Sequence, residues 1–211
     1  MLDYIQDLLD DYKNKRFLYE EFSSVMCKII EGLLEEGNYK YQMNHRIKDI
    51  HHLEEKIIRK KQKGKIYASL NDIKDVVGIR VIFYLESDKN KFIKNIRNEI
   101  SGKLIIEEKK KVSWYKAKHI IASLGPKRLQ LNEYRKFKGL LCEVQLTSIL
   151  HHAWAEIEHD LIYKDLNGIE IKNSKKYQQL KKILSKTLKN HIIKATADIE
   201  KLAKLMKKCF Q

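Results

Sequence analysis

Asp75-Val-Val-Gly-Ile-Arg-Val-Ile-Phe-Tyr-Leu85 is the stretch whose reading decides the fold. From Val76 to Leu85 nearly every position is apolar and many are β-branched, which at this length predicts a strand buried on both faces. Working outward, a helix is expected from about Lys89 to Ile100, strands near Leu104–Lys110, His119–Leu124 and Leu140–Leu146, and a helix over Ile149–Tyr163. Strands alternating with helices indicate an α/β sheet layer.

On the N-terminal side, Leu2, Ile5, Leu8, Leu9 and Tyr12 recur at helical spacing. Phe17, Phe22, Met26, Ile29, Ile30, Leu33 and Leu34 continue the pattern until Gly37-Asn38 stops it, so two helices are expected in the first 36 residues. After a short run from Tyr41 to Lys48, the spacing of Ile50, Leu53 and Ile57 predicts another helix, closed by Gly64. Beyond Gly168 the pattern is purely helical, from Tyr177 and Leu180 through Leu188 and Ile192 to Leu202 and Met206. Its other face is crowded with lysine, as expected of an amphipathic helix or hairpin packed on the sheet domain or on another subunit. Membrane-surface and RNA-binding roles are the alternatives for that face. The expected division is 1–40 N-terminal helices, 41–168 a sheet domain and 169–211 C-terminal amphipathic helices.

The 211 residues can bury a sizeable core, since 43% are hydrophobic, and one proline with 34% charged residues excludes collagenous and low-complexity classes. Forty-three Lys and Arg against 28 Asp and Glu leave a formal charge of +15. That balance suits a polyanionic ligand such as a nucleotide or RNA, and equally a lysine-solvated surface. Cys27, Cys142 and Cys209 are widely spaced and odd in number, which supports neither a disulfide framework nor a zinc knuckle. The N-terminus lacks the layout of a signal peptide and no apolar run approaches 18 residues, so no membrane span is expected and a reducing cytoplasm is the expected home.

Two acids stand out. Asp75 opens the apolar run, where a strand fixes the backbone while the side chain emerges at the sheet's edge. Gly78, three residues later, lets a ligand come close, or marks a bulge. Glu143 follows Gly139-Leu-Leu-Cys and is a charge amid apolar neighbours, costly to bury unless a cation pairs with it. Each acid is either a magnesium ligand or an ion-pair partner of one of the many lysines. Arg46, Lys48 and Lys56 put three cations at the entry to and along one face of a helix, suited to clamping phosphates or simply solvated. Trp114-Tyr115, preceded by Lys109-Lys-Lys111, combines aromatic planes with charge and could stack a base or belong to the core. His152, Glu156 and His159 share one helix face, but no His-Glu-x-x-His motif supports zinc. Glu158 and His159 are instead expected to be partly buried polar residues joining this helix to the sheet.

In this order, Asp75-Val-Val-Gly-Ile-Arg80, Glu143-Val-Gln145 and His152-Ala-Trp-Ala-Glu-Ile-Glu-His-Asp160 with Tyr163-Lys164 resemble the synthetase domain of the RelA/SpoT family of alarmone synthetases, over roughly residues 20–165. The resemblance implies an α/β (α+β) fold: a mixed-sheet, nucleotidyltransferase-like synthetase domain flanked by helices, with helical extensions at both ends. It implies transfer of the β,γ-pyrophosphate of ATP to the 3′-hydroxyl of GDP or GTP, with Mg²⁺ as cofactor. Asp75 would bind the metal, and Glu143 would assist it or activate the attacking hydroxyl. Arg46, Lys48, Lys56 and Arg80 would hold ATP, while Lys111, Tyr115, His119 and Gln145 would hold the acceptor.

The chain departs from the family at Trp114-Tyr115-Lys116-Ala117, where Gly-Tyr-Arg-Ser is usual, and at Thr147-Ser148, which replaces Arg-Thr. Both changes are expected beside the acceptor site. A single-domain member resembling the small alarmone synthetases is expected. The alternatives are a growth-inhibiting toxin that modifies the 3′ end of tRNA or makes adenosine alarmones, and a degenerate nucleotide-binding sensor without activity. ATP and GDP or GTP are the expected partners, with tRNA as the other acceptor; a second copy of the chain or an antitoxin is the candidate protein partner.

Overall fold

The computed structural model describes residues 3–99, 105–108, 117–160 and 175–209. In chain order the elements are α1 (Asp3–Glu36), β1 (Tyr41–Ile47), α2 (Ile50–Lys61), a single 3-10 turn (Leu70–Asp72), β2 (Val77–Phe83), α3 (Glu86–Glu99), β3 (Ile105–Glu108), β4 (Lys118–Ala122), α4 (Pro126–Leu129), α5 (Asn132–Arg135), β5 (Cys142–Ser148), α6 (Ile149–His159), α7 (Lys175–Thr187), a π-helical segment (Leu188–Ile192) and α8 (Ile193–Cys209). The strands form one mixed sheet in the order β1-β2-β5-β4-β3. Among the described residues only β2 and β5 run parallel; the other neighbours are antiparallel. The expected mixed sheet flanked by helices is therefore present.

Strand alternation divides the sheet into two unlike faces. Val77, Ile79, Val81 and Phe83 on β2, Cys142, Val144 and Leu146 on β5, and Ile120 and Ala122 on β4 join the buried core with residues of α1, α2 and α3. The opposite face carries Gly78 and Arg80 on β2 and Glu143 and Gln145 on β5. Burial of β2 on both faces holds only for its C-terminal half. Gly78 and Arg80 are half-buried, whereas Ile82 is buried where α6 packs on β2 and β5. An apolar run thus conceals a polar site, because arginine and glycine replace two of the alternating hydrophobics.

Asp3–Glu36 forms one helix rather than two. The polar stretch Lys13-Asn-Lys-Arg16 interrupts the apolar series without supplying a breaker, and ion pairs along the exposed side carry the helix through it: Lys13–Asp10 at 2.9 Å, Lys15–Asp11 at 2.8 Å and Arg16–Glu20 at 3.1 Å. Its buried series is Leu8, Tyr12, Tyr19, Phe22, Met26, Ile30 and Leu34, and Phe17 is 70% exposed. The helix stops at the expected place. Asn38 takes φ 48° and the Tyr39 N–H donates to Leu34 O at 3.2 Å, satisfying an end carbonyl.

The run Tyr41–Lys48 contains the edge strand β1, whose Met43 and Ile47 pack on the core while Gln42, Asn44 and Arg46 face out. At the other end, α7, the π-helical segment and α8 follow one another without a turn, so no hairpin forms. Tyr177 and Leu188 are buried, and the Glu200 carboxylate accepts from the Ser87 N–H at 2.8 Å, which fastens α8 to the start of α3. Among the described residues no helix is long and apolar enough to cross a membrane.

Candidate functional site

Because β2 and β5 are parallel neighbours, their N-terminal ends lie at the same end of the sheet. Asp75 stands two residues before β2, and Glu143 is the second residue of β5, paired across the ladder with Gly78. The antiparallel β1 finishes at this same end, where the Lys48 N–H donates to Val76 O at 2.8 Å. Asp49 then caps α2, accepting from the His51 N–H at 2.8 Å. Burial of Leu53 and Ile57 fixes the rotation of α2, so that Lys56 reaches Asp75. Lys56 Nζ donates to Asp75 Oδ1, and Lys48 Nζ lies 3.5 Å from Oδ2.

One carboxylate thus serves two ammonium groups, and the titration of Asp75 and of Lys56 reflects that ratio. Burial alone would raise the Asp75 carboxyl, but the hydrogen bond and charge of Lys56, with the charge of Lys48, hold it below the usual carboxylate value. Burial pushes the Lys56 ammonium down; Asp75 offsets this only in part, and Lys48 repels it further. Two ammonium groups against one carboxylate leave the trio itself with surplus positive charge, which the more distant Glu143 charge acting on Lys56 only partly offsets.

That surplus extends along an open cleft of about 900 Å³ lined by Arg46, Lys48, Lys56, Arg59, Lys60 and Lys63, against the carboxylates of Asp49, Glu55 and Asp75. The sequence reading missed Arg59, Lys60 and Lys63. Their signal was available: from Lys56 they fall at i+3, i+4 and i+7, one side of a helix and its continuation. It also misplaced His159, which is exposed at the cleft rim rather than partly buried; Glu158 is half-buried as expected.

Glu143 is only 6% exposed, and its partners are built from the sheet. His119 Nδ1 lies 2.9 Å from Oε1, and Gln145 Nε2 donates to Oε2 at 2.9 Å. Gln145 Oε1 in turn accepts from Arg80 Nε at 3.3 Å, and Arg80 Nη1 donates to Glu156 Oε1 at 2.8 Å. A hollow of about 160 Å³ beside them is lined by Asn44, Arg46, Gly78, Arg80 and Gln145 among others. Gly78 sits in regular ladder pairing rather than in a bulge. An added Cβ there would make only ordinary contacts, 3.7 Å from Arg46 Cγ, so packing does not require glycine. Its effect is to leave the floor bare between two guanidinium groups.

Of the sequence-predicted residues, Arg46, Lys48, Lys56 and Asp75 share the large cleft, and Arg80, His119, Glu143 and Gln145 form the adjoining network. Lys111, Trp114 and Tyr115, together with Tyr163 and Lys164, lie outside the described residues. Thr147 is buried at 3% exposure on the part of β5 that α6 covers, and its hydroxyl donates to Ser148 O at 3.4 Å. Thr147 is therefore packed in the sheet, while the acceptor loop beside which it was expected lies outside the described residues. No group of three or more His, Cys, Asp or Glu residues suited to a metal occurs among the described residues. Asp75 and Glu143, each within the other's electrostatic field, supply two hard carboxylate donors, the protein share typical of a magnesium ion that takes its remaining ligands from water and phosphate.

Residues 45–168, more than half the chain, match the family model described as a region found in RelA and SpoT proteins. No curated protein matches the chain by sequence. Among solved structures, small alarmone synthetase 2 from Bacillus subtilis is 20% identical with a TM-score of 0.68, over 94% of this chain and 99% of that one. Small alarmone synthetase 1 from the same bacterium, bound to its product pppGpp, is 16% identical with a TM-score of 0.68, over 96% and 99%. The same synthetase bound to AMPCPP is 16% identical with a TM-score of 0.62, over 93% and 99%. These likenesses extend the agreement in fold beyond the matched region to almost the whole chain, and with the family match they lead to one conclusion: the chain belongs to the RelA/SpoT family.

Proposed function

We propose that the protein is a pyrophosphokinase that transfers the β,γ-pyrophosphate of ATP to the 3′-hydroxyl of GDP or GTP. The observation that carries this reading is the under-neutralised trio of Lys48, Lys56 and Asp75 at the mouth of a cationic cleft, with the buried Glu143 on the next strand. A polyphosphate supplies the negative charge that one carboxylate cannot. Solved small alarmone synthetases of similar fold, bound to pppGpp and to AMPCPP, support nucleotides as the ligands.

In this mechanism Arg46, Lys48 and Lys56 hold the phosphates of ATP, with Arg59, Lys60 and Lys63 extending the clamp. Arg46 and Arg80 flank the bare floor at Gly78, where guanidinium planes suit a flat base. The acceptor's 3′-oxygen attacks the β-phosphorus, the bond from that phosphorus to the α,β-bridging oxygen breaks, and AMP leaves. Glu143 accepts the hydroxyl proton, and His119 and Gln145 fix its two oxygens in place. Asp75 and Glu143 would hold Mg²⁺, which when bound screens the charge of the polyphosphate. Positioning and charge neutralisation supply most of the rate in such a transfer.

The test is incubation of the purified protein with γ-labelled ATP and, separately, GDP, GTP, ATP and deacylated tRNA. Label on GDP or GTP supports the proposal, and label on none refutes it. A tRNA acceptor is the second reading, favoured by the exposed Lys127, Arg135, Lys136 and Lys138 on the connection that enters β5 beside Glu143. Labelled tRNA with unlabelled GDP and GTP would select it. Its labelling should then fall steeply with salt, because several phosphates would be neutralised at once.

A further inference from the structure

We propose that Glu156, on α6, is a positioning residue that acts through Arg80, holding the guanidinium against the sheet so that the ATP-side wall is built before nucleotide arrives. The inference rests on the assignment of the Arg80 hollow to ATP, and adds to it a residue from outside the cleft.

Arg80 lies on the open face of β2 directly across from Gln145 on β5. A long arginine on a half-covered sheet face keeps most of its rotamer freedom, and a ligand would have to remove it on binding. Here two acceptors from two elements fix the group already: Gln145 Oε1 takes Nε at 3.3 Å and Glu156 Oε1 takes Nη1 at 2.8 Å. The first anchor is passed on, since Gln145 uses its amide nitrogen to hold Glu143 Oε2 at 2.9 Å, which sets which way the amide points.

The second anchor is only as firm as α6, and α6 is firmly seated. Trp154 is buried, and His151 Nδ1 lies 2.8 Å from Ser148 Oγ and 3.8 Å from the Glu86 carboxylate. With His151 and Trp154 inward, helical spacing turns His152 and Glu156 toward β2, where His152 Nδ1 is 3.6 Å from the same Glu156 oxygen. Arg80 is therefore cross-braced between a strand and a helix by charge-assisted contacts, an arrangement that favours preorganisation over fold stability, because Glu156 is half exposed and such a pair adds little to folding.

The experiment compares wild type with Glu156→Ala, Glu156→Gln, Arg80→Ala and the Arg80/Glu156 double alanine variant. Glu156→Ala should raise KM for ATP roughly three- to tenfold while leaving the acceptor's KM and the melting temperature unchanged. Glu156→Gln, which keeps an acceptor oxygen, should recover most of the loss. In the Arg80→Ala background, Glu156→Ala should have no further effect. The Arg80 Nε–H resonance, followed by NMR, should exchange slowly with water in wild type and faster in Glu156→Ala. Additive KM effects, equal rises in both KM values or an unchanged exchange rate would overturn the proposal. A wild type inactive with every acceptor would refute the transferase reading, and the Nε–H exchange would still decide whether Glu156 braces Arg80.

Discussion

The Lys48–Lys56–Asp75 trio predicts opposite outcomes for its two most closely paired members. In Lys56→Met the ammonium vanishes with its desolvation cost, and Lys48, 3.5 Å from Asp75, remains as a partner for the carboxylate. Replacing a poorly served buried cation by an apolar group of similar length is close to neutral, so urea unfolding should show a change within about 1 kcal/mol. Asp75→Asn instead leaves two ammonium groups facing each other. Stranding one partner of a fully buried pair costs about 3–5 kcal/mol. The Asp75 side chain is 23% exposed, so water relieves part of this and about 2 kcal/mol is expected. Binding should invert the ranking. Lys56→Met loses charge-assisted contacts to phosphate worth about 1.5–3 kcal/mol, a roughly 10- to 150-fold weaker affinity for a non-hydrolysable ATP analogue by calorimetry without added metal. Under the same conditions Asp75→Asn should bind the analogue at least as well as wild type, because the cations are released to it. Equal destabilisation by the two variants, or unchanged affinity in Lys56→Met, would refute the reasoning.

Glu143→Gln should fold normally and lose more than about a hundredfold in kcat for pyrophosphoryl transfer, measured by release of AMP. The Asp75 carboxyl is held below its ordinary value of 3.8. Its contribution should be present above that pH and disappear as pH falls through the lowered folded value, so the stability gap between wild type and Asp75→Asn should close in acid unfolding series. The Cys27 thiol is pushed up to about 11 by burial, and burial likewise raises the Cys142 thiol well above its ordinary value. In the native protein Cys209 alone of the three should react with a thiol reagent, with all three reacting in denaturant. Ile57, fully buried beside Lys56, should cost about 2–5 kcal/mol on truncation to alanine and should weaken nucleotide binding as well, because it sets the rotation of α2.

Much of the sheet was legible because its signals are local. The apolar run at 76–85 and those at 119–124 and 140–146 correspond to β2, β4 and β5 within a few residues. Continuity of α1 was not legible from apolar spacing alone, since the polar stretch at 13–16 reads as a break until its i,i+3 and i,i+4 ion pairs are considered. The strand β1 escaped because an edge strand with one open face shows few hydrophobics, and three of its seven residues serve the cleft face. In the site, Asp75 and Glu143 stood out as charges among apolar neighbours. Arg59, Lys60 and Lys63 did not, because a chain with 43 basic residues hides a functional lysine among solvating ones. Glu156 was noticed only as part of a rejected zinc face, because its partner Arg80 is distant in sequence and adjacent only through the fold.

The single parallel pair in the sheet also governs when the molecule becomes competent. Arg80 and Gln145, which face each other across β2 and β5, are separated by 65 residues of chain. That closure is entropically expensive and comes after the local helices and the antiparallel β1–β2 contact can form. During synthesis, a chain halted before Glu143 emerges from the ribosome already displays Lys48, Lys56 and Asp75 but lacks the strand that bears the proton acceptor. On the proposed function, nucleotide binding then precedes catalytic capacity, and the arrival of β5 switches the nascent protein from holding ATP to consuming it.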